Sequence, residues 1–122
     1  MTVNGLRLGN WVSLKGIEYT IAEIDRFGGI RLMDKRKLGT TPYYDEDILP
    51  IQLTEDILRK IDGFVITRDG AHKIYNEFGN IFKLNKVKDK YYFTWGDCEI
   101  GTLHNLQNLW RDLIKTELEI NL

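Results

Sequence analysis

Trp11-Val-Ser-Leu-Lys-Gly-Ile-Glu-Tyr-Thr-Ile-Ala-Glu-Ile24 is the stretch from which the fold is read. Val12 and Leu14 alternate with Ser13. After Lys15-Gly16 the alternation resumes, with Ile17, Tyr19 and Ile21 facing one way and Glu18 and Thr20 the other, the period-two pattern of half-buried strands. With Lys15-Gly16 as a two-residue turn, Leu14 falls opposite Ile17 and Val12 opposite Tyr19, so all four share one face. Ile24 is out of phase with Ile21, which puts a bulge or sharp bend near Ala22-Glu23. Arg26-Phe-Gly-Gly29 then turns the chain into a third strand, Ile30 to Met33, and a long polar loop is expected from Asp34 to Asp47. Short strands with a bend in the second predict a curled β-meander over residues 1–49. Its plan is that of an SH3-like barrel, an analogy of fold that carries no function.

Beyond Pro50 the pattern changes, and residues 50–122 read as a small α+β lobe of two helices and an antiparallel sheet, sharing a core with the meander. Thr54 is a good N-cap, Glu55 and Asp56 sit in the first turn where the helix dipole favours anions, and Ile57, Leu58 and Ile61 form an apolar stripe, predicting a helix from Glu55 to Asp62. Strands follow at Phe64 to Thr67 and Lys73 to Phe78. In the next hairpin, with Lys88-Asp89 as the turn, Leu84 pairs with Phe93, Phe82 with Trp95 and Lys86 with Tyr91 on one face, while Lys83 meets Thr94 and Asn85 meets Tyr92 on the other. Thr102 caps the second helix, whose Leu103, Leu106, Leu109, Trp110, Leu113 and Ile114 gather on one side and whose His104, Asn108, Arg111 and Lys115 gather on the other. Leu118 to Leu122 alternates as a closing strand. The class is α+β.

The 122 residues amount to one domain or two very small lobes, and 43% hydrophobic with 29% charged residues is an ordinary globular composition that excludes whole-chain disorder. Seventeen basic residues nearly balance eighteen acidic ones, and the split at Pro50, 7 against 7 and then 10 against 11, leaves neither a basic arm nor an acidic tail. A single cysteine, Cys98, excludes an intrachain disulfide, and with only His72 and His104 beside it no structural zinc site forms without carboxylates; no metal or cofactor is expected. The N-terminal Met1-Thr-Val-Asn-Gly-Leu-Arg lacks an export pattern and no run of about 20 apolar residues occurs, so a cytoplasmic protein without membrane contact is expected.

No phosphate loop, GxSxG elbow, HExxH or CxxC is present. Cys98 and His104 are six residues apart, and a small Cys-His hydrolase is the third-ranked reading. Its alternative is a Cys98 that serves as a small core residue and a His104 that caps or lines an interface. The carboxylates Asp45-Glu46-Asp47 and the basic Lys35-Arg36-Lys37 read as solvated arms of one loop, because adjacent side chains on an extended chain point to opposite sides and cannot chelate one ion together. Lys83, Lys86, Lys88 and Lys90, interleaved with aromatics, match a nucleic-acid surface in composition, yet the pairing above buries Phe82, Phe93 and Trp95 and leaves Tyr92 beside the lysines.

Two segments carry a resemblance. Asp47-Ile-Leu-Pro-Ile-Gln-Leu-Thr-Glu-Asp-Ile-Leu-Arg-Lys-Ile-Asp-Gly-Phe64 and Glu99-Ile-Gly-Thr-Leu-His-Asn-Leu-Gln-Asn-Leu-Trp110, preceded by Leu6-Arg-Leu-Gly-Asn-Trp-Val12, are similar to a group of small uncharacterised proteins from gut anaerobic bacteria and their phages, with the pattern LRxGNxV, PIxLTEexLxxxGF and HxLQNLyxxL. The chain departs from it with Asp62 before Gly63-Phe64 and with Lys115-Thr116 where the group often has Thr-Gly. The resemblance implies no activity, cofactor or catalytic residue. It does imply a mobile-element setting, and so a small binding or regulatory protein. The expected function is therefore a non-enzymatic binding module for a protein partner, with a nucleic-acid-binding accessory protein as the alternative. The candidate surface is His104, Asn108, Arg111 and Lys115 on the second helix, with Lys83, Lys86, Lys88, Lys90 and Tyr92 on the hairpin.

Overall fold

In the computed structural model, which describes residues 5–36, 39–44, 48–76, 78–93 and 98–122, the chain divides into two units, 1–51 and 52–122. The first begins with the hairpin β1 (Trp11–Leu14) and β2 (Ile17–Ile24), closed by Lys15 and Gly16, both at positive φ, the conformation a two-residue turn needs to match strand twist. Leu14 pairs with Ile17 and Val12 with Tyr19, the expected register, although Ile17 at the turn is exposed. The pairing of β2 with β3 (Ile30–Met33) shifts between Ile21 and Glu23, which is the expected bulge. Before β3 the Asp25 carboxylate accepts from the Phe27 and Gly29 amides and so builds the intervening turn.

The polar loop expected from Asp34 to Asp47 contains a strand instead, β4 (Thr40–Tyr44), paired with β3 and recognisable in hindsight by its β-branched and aromatic residues around Pro42. A proline lacks the amide that a central strand needs, and β4 is an edge strand. The acidic triplet Asp45 to Asp47 and Lys37 lie outside the described residues. A fifth strand, β5 (Ile48–Pro50), returns to β1, giving the order β4-β3-β2-β1-β5 with all neighbours antiparallel. Leu6, Val12, Leu14, Ile21, Ile30, Leu32 and Ile48 form this unit's buried cluster, with Tyr19 and Ile24 packed against it.

In the second unit Thr54 caps α1 (Glu55–Leu58) by accepting from the Ile57 amide. The helix is one turn shorter than expected, because from Lys60 onward the amides bond three residues back, Lys60 to Ile57 and Ile61 to Leu58, and the chain tightens out of α geometry. Five strands follow: β6 (Phe64–Ile66), β7 (His72–Tyr75), β8 (Ile81–Val87), β9 (Lys90–Phe93) and β10 (Cys98–Ile100), an antiparallel sheet in sequential order. Leu84 opposes Phe93, Asn85 opposes Tyr92 and Lys86 opposes Tyr91, as the Lys88-Asp89 turn requires. The pairs involving Thr94 and Trp95 fall outside the described residues.

Thr102, accepting from the Asn105 amide, opens α2 (Leu103–Ile114). Trp110 from this helix is buried, its ring 5.7 Å from that of Phe82, so α2 covers the face of the sheet that carries Phe82. The closing strand expected at Leu118 to Leu122 is reduced to one bridge between Ile120 and Ile61, flanked by bonds from the Asp62 amide to the Glu119 carbonyl and from Asn121 to Lys60. Residues 118–122 thus pair with the exit of α1, which is too short to form a ladder, and not with a strand of the sheet.

Candidate functional site

Register sorts the side chains of the second sheet into two faces. Phe82 and Leu84 of β8 share theirs with His72 and Ile74 of β7 and with Tyr91 and Phe93 of β9. All of these are buried except Phe93, which is half-buried. The opposite face carries Val65, Lys73 and Tyr75, then Ile81, Lys83, Asn85 and Val87, then Lys90, Tyr92 and Glu99. Val65, Tyr75, Ile81, Lys83, Asn85, Val87, Lys90 and Glu99 are exposed, and Lys73 and Tyr92 are half-buried. This is a sheet face with four exposed large apolar or aromatic side chains, three lysines and one glutamate. Lys73 and Lys83 are direct cross-strand partners, and Lys90 lies 3.8 Å from the Glu99 carboxylate.

The nine residues named from sequence do not form one surface. Lys83, Lys90 and Tyr92 lie on the open face. Lys86 belongs to the other face, with its ammonium 5.9 Å from the centre of the Tyr91 ring, and Lys88 stands at the turn with φ 57°. On α2, Arg111 is ion-paired with Glu117, Lys115 closes the helix in the left-handed conformation, and Asn108 is half-buried.

His104 is the clearest correction, because it is buried and does not face outward. At about 100° per residue the buried positions Leu103, Leu106, Gln107 and Trp110, with half-buried Ile114, define an arc turned by about 40° from the arc of leucines, toward His104 and Gln107. Leu113 correspondingly emerges at half exposure. The Thr102 hydroxyl sits 3.2 Å from His104 Nδ1 and also accepts from the Asn105 amide, so it can donate its own proton to a neutral imidazole. Burial pushes the His104 pKa down, in keeping with that neutral form.

Cys98 is likewise displaced from its expected place. It is exposed on β10 and not a core residue, with Sγ 3.8 Å from the Glu99 carbonyl. With the thiol at the sheet edge and His104 held by Thr102, the geometry lends nothing to a Cys-His nucleophile pair. The other histidine, His72, has Nδ1 3.1 Å from the Gly70 carbonyl, which requires a proton there. Its Nε2 is buried without a hydrogen bond, 3.9 Å from the Glu55 carboxylate and between the rings of Phe64 and Tyr91. That Tyr91 hydroxyl is shifted upward, by burial first and then by the Glu55 and Asp89 charges. Among the described residues no group of three His, Cys, Asp or Glu is placed to hold a metal ion, and no helix is long and apolar enough to cross a membrane.

Lys73, Tyr75, Val65 and Ile81 were not among the surface residues named from sequence, and Asn85, placed opposite Tyr92 there, was not counted with them. The turn between β7 and β8 runs from Asn76 to Asn80, and that length sets Lys73 opposite Lys83, where a two-residue turn at Gly79-Asn80 would set it opposite Lys86. Comparison with protein-family models, with curated proteins and with solved structures finds no match to this chain.

Proposed function

We propose that this protein is a non-enzymatic binding module whose contact surface is the open face of the second sheet. One observation carries the reading: Val65, Tyr75, Ile81 and Val87 stand exposed on the face opposite the one that α2 covers, interspersed with lysines. Exposed apolar side chains collected on one face, ringed by polar ones, are the mark of a surface used for contact. The nine-residue surface read from sequence is thereby replaced by one that keeps Lys83, Lys90 and Tyr92.

The first unit we read as an SH3-like small barrel. Its strand order, with the fifth strand returning to the first, and the bulge that bends β2 support that plan. A mobile-element setting, as the sequence resemblance implies, and a cytoplasmic location belong to the same proposal. The test is retention of host macromolecules, protein and nucleic acid both, on the immobilised protein and on a Val65→Asp, Ile81→Asp double variant checked for an unchanged circular dichroism spectrum. Loss of a specific retained species in the variant is expected. Equal retention on both proteins would remove the open face from the proposal.

A further inference from the structure

We infer that His72 and Glu55 together bind a divalent transition-metal ion of the zinc type, at a site on the covered side of the second sheet and independent of the open face. His72 is 7% exposed, and its Nε2 is buried without a hydrogen bond. A buried polar atom left unpaired is rare in a folded protein and calls for an explanation. The other nitrogen fixes the tautomer. The Gly70 carbonyl can only accept, so Nδ1 carries the proton and Nε2 presents a lone pair. That lone pair stands 3.9 Å from Glu55 Oε1, so two acceptors face each other. A cation is what such a pair lacks.

The surroundings are those of a histidine ligand. An imidazole that donates its second N–H to a backbone carbonyl is oriented by that bond and made a better donor to a metal. The rings of Phe64 and Tyr91, centred 5.8 and 5.7 Å away, hold it in place. The carboxylate is oriented too, because Arg59 approaches Oε2 at 3.5 Å and leaves Oε1 toward His72. Zinc bonds to nitrogen and oxygen of about 2.0–2.2 Å sum to slightly more than the 3.9 Å gap, so one ion reaches both atoms. A tetrahedral angle needs a gap of about 3.4 Å, within the swing of a glutamate whose side chain is 42% exposed. The sequence holds too few Cys and His for a zinc site without carboxylates, and Glu55 supplies one. Among the described residues no third His, Cys, Asp or Glu joins the pair, so water completes the coordination. Imidazole with carboxylate suits zinc and its neighbours, whereas magnesium and calcium take oxygen ligands. Two protein ligands hold the ion less tightly than a closed four-ligand site, and the Arg59 and Lys86 cations beside Glu55 and Tyr91 oppose it further. Once bound, the ion ties α1 to β7.

The experiment adds zinc chloride to the metal-stripped full chain at about pH 7.5, up to about 1 mM, and follows the histidine ring signals by NMR together with the thermal midpoint. The His72 signals are expected to shift saturably while those of His104, bonded to Thr102, stay in place, and the midpoint should rise with zinc concentration. Magnesium at the same concentration should shift neither histidine. Glu55→Gln should weaken zinc binding about 10-fold or more, and His72→Gln should abolish it. Because Glu55 is on the surface side of the pair, its variant keeps the test decisive even where His72→Gln disturbs the buried rings. Cys98→Ser removes the exposed thiol, a second group with affinity for zinc, and should leave the binding at His72 unchanged. An unshifted His72 would leave the gap to a proton and overturn the inference. So would a Glu55→Gln variant that binds zinc as the wild type does, an equal response to magnesium, or loss of binding in Cys98→Ser.

Discussion

Gly63 shows at the scale of one residue how the backbone decides a sequence position. It leaves α1 at φ 84°, and a methyl group placed there would lie 2.0 Å from the Tyr75 carbonyl oxygen, whose own residue donates its amide to the Gly63 carbonyl. Gly63→Ala is therefore expected to lose roughly 2–5 kcal/mol, left-handed strain plus steric overlap, in denaturant unfolding. Gly16 has a similar φ of 83° but open space around its Cα, so Gly16→Ala should lose only about 1–2 kcal/mol. Equal losses would mean that the contact with Tyr75 adds nothing. Lys115 is the opposite case, a side chain in a left-handed helix-closing position at φ 67° where glycine carries no penalty. Lys115→Gly is expected to raise stability by about 1 kcal/mol, read as a higher denaturant midpoint at unchanged slope.

At the scale of elements, turn chemistry and alternation located β1, β2, β3, β8 and β9 in the sequence, and hydroxyl caps located the starts of both helices. These signals are local, so nearby residues suffice to read them. What escaped depends on distant partners. The strand β4 was hidden because its neighbours are polar and its pairing with β3 is set by the sheet. The helix α2 was read with its face misplaced, because counting leucines cannot see that Gln107 and His104 are accommodated inside. Trp110 survives both readings, since it lies in the overlap of the two arcs. It is 2% exposed, with Nε1 donating to the Thr116 hydroxyl at 3.2 Å. Trp110→Ala is expected to lose about 3–5 kcal/mol in denaturant unfolding, and an unchanged midpoint would mean that α2 does not pack through this residue.

For the molecule as a whole, net charge near zero leaves stability against pH to individual groups whose folded environment differs from water. His104 is the one to watch near neutrality. Its burial depresses the folded pKa below the unfolded value of about 6.5, so under mild acid the unfolded chain binds a proton that the folded chain resists. Stability is then fully present above pH of about 6.5 and is lost as pH falls through that value toward the folded pKa. Asp69, shifted downward first by its bond from the Thr67 hydroxyl, acts in the same direction but in a separate window, below the ordinary aspartate value of about 3.9. Urea midpoints measured between about pH 7.5 and pH 5 should therefore fall in the wild type. In His104→Leu, which cannot titrate, the fall should shrink even if the midpoint at pH 7.5 is itself lowered by loss of the contact with Thr102. An undiminished fall in that variant would assign the proton to another group, and with it would go the reading of His104 as a neutral, buried member of the helix's inner face.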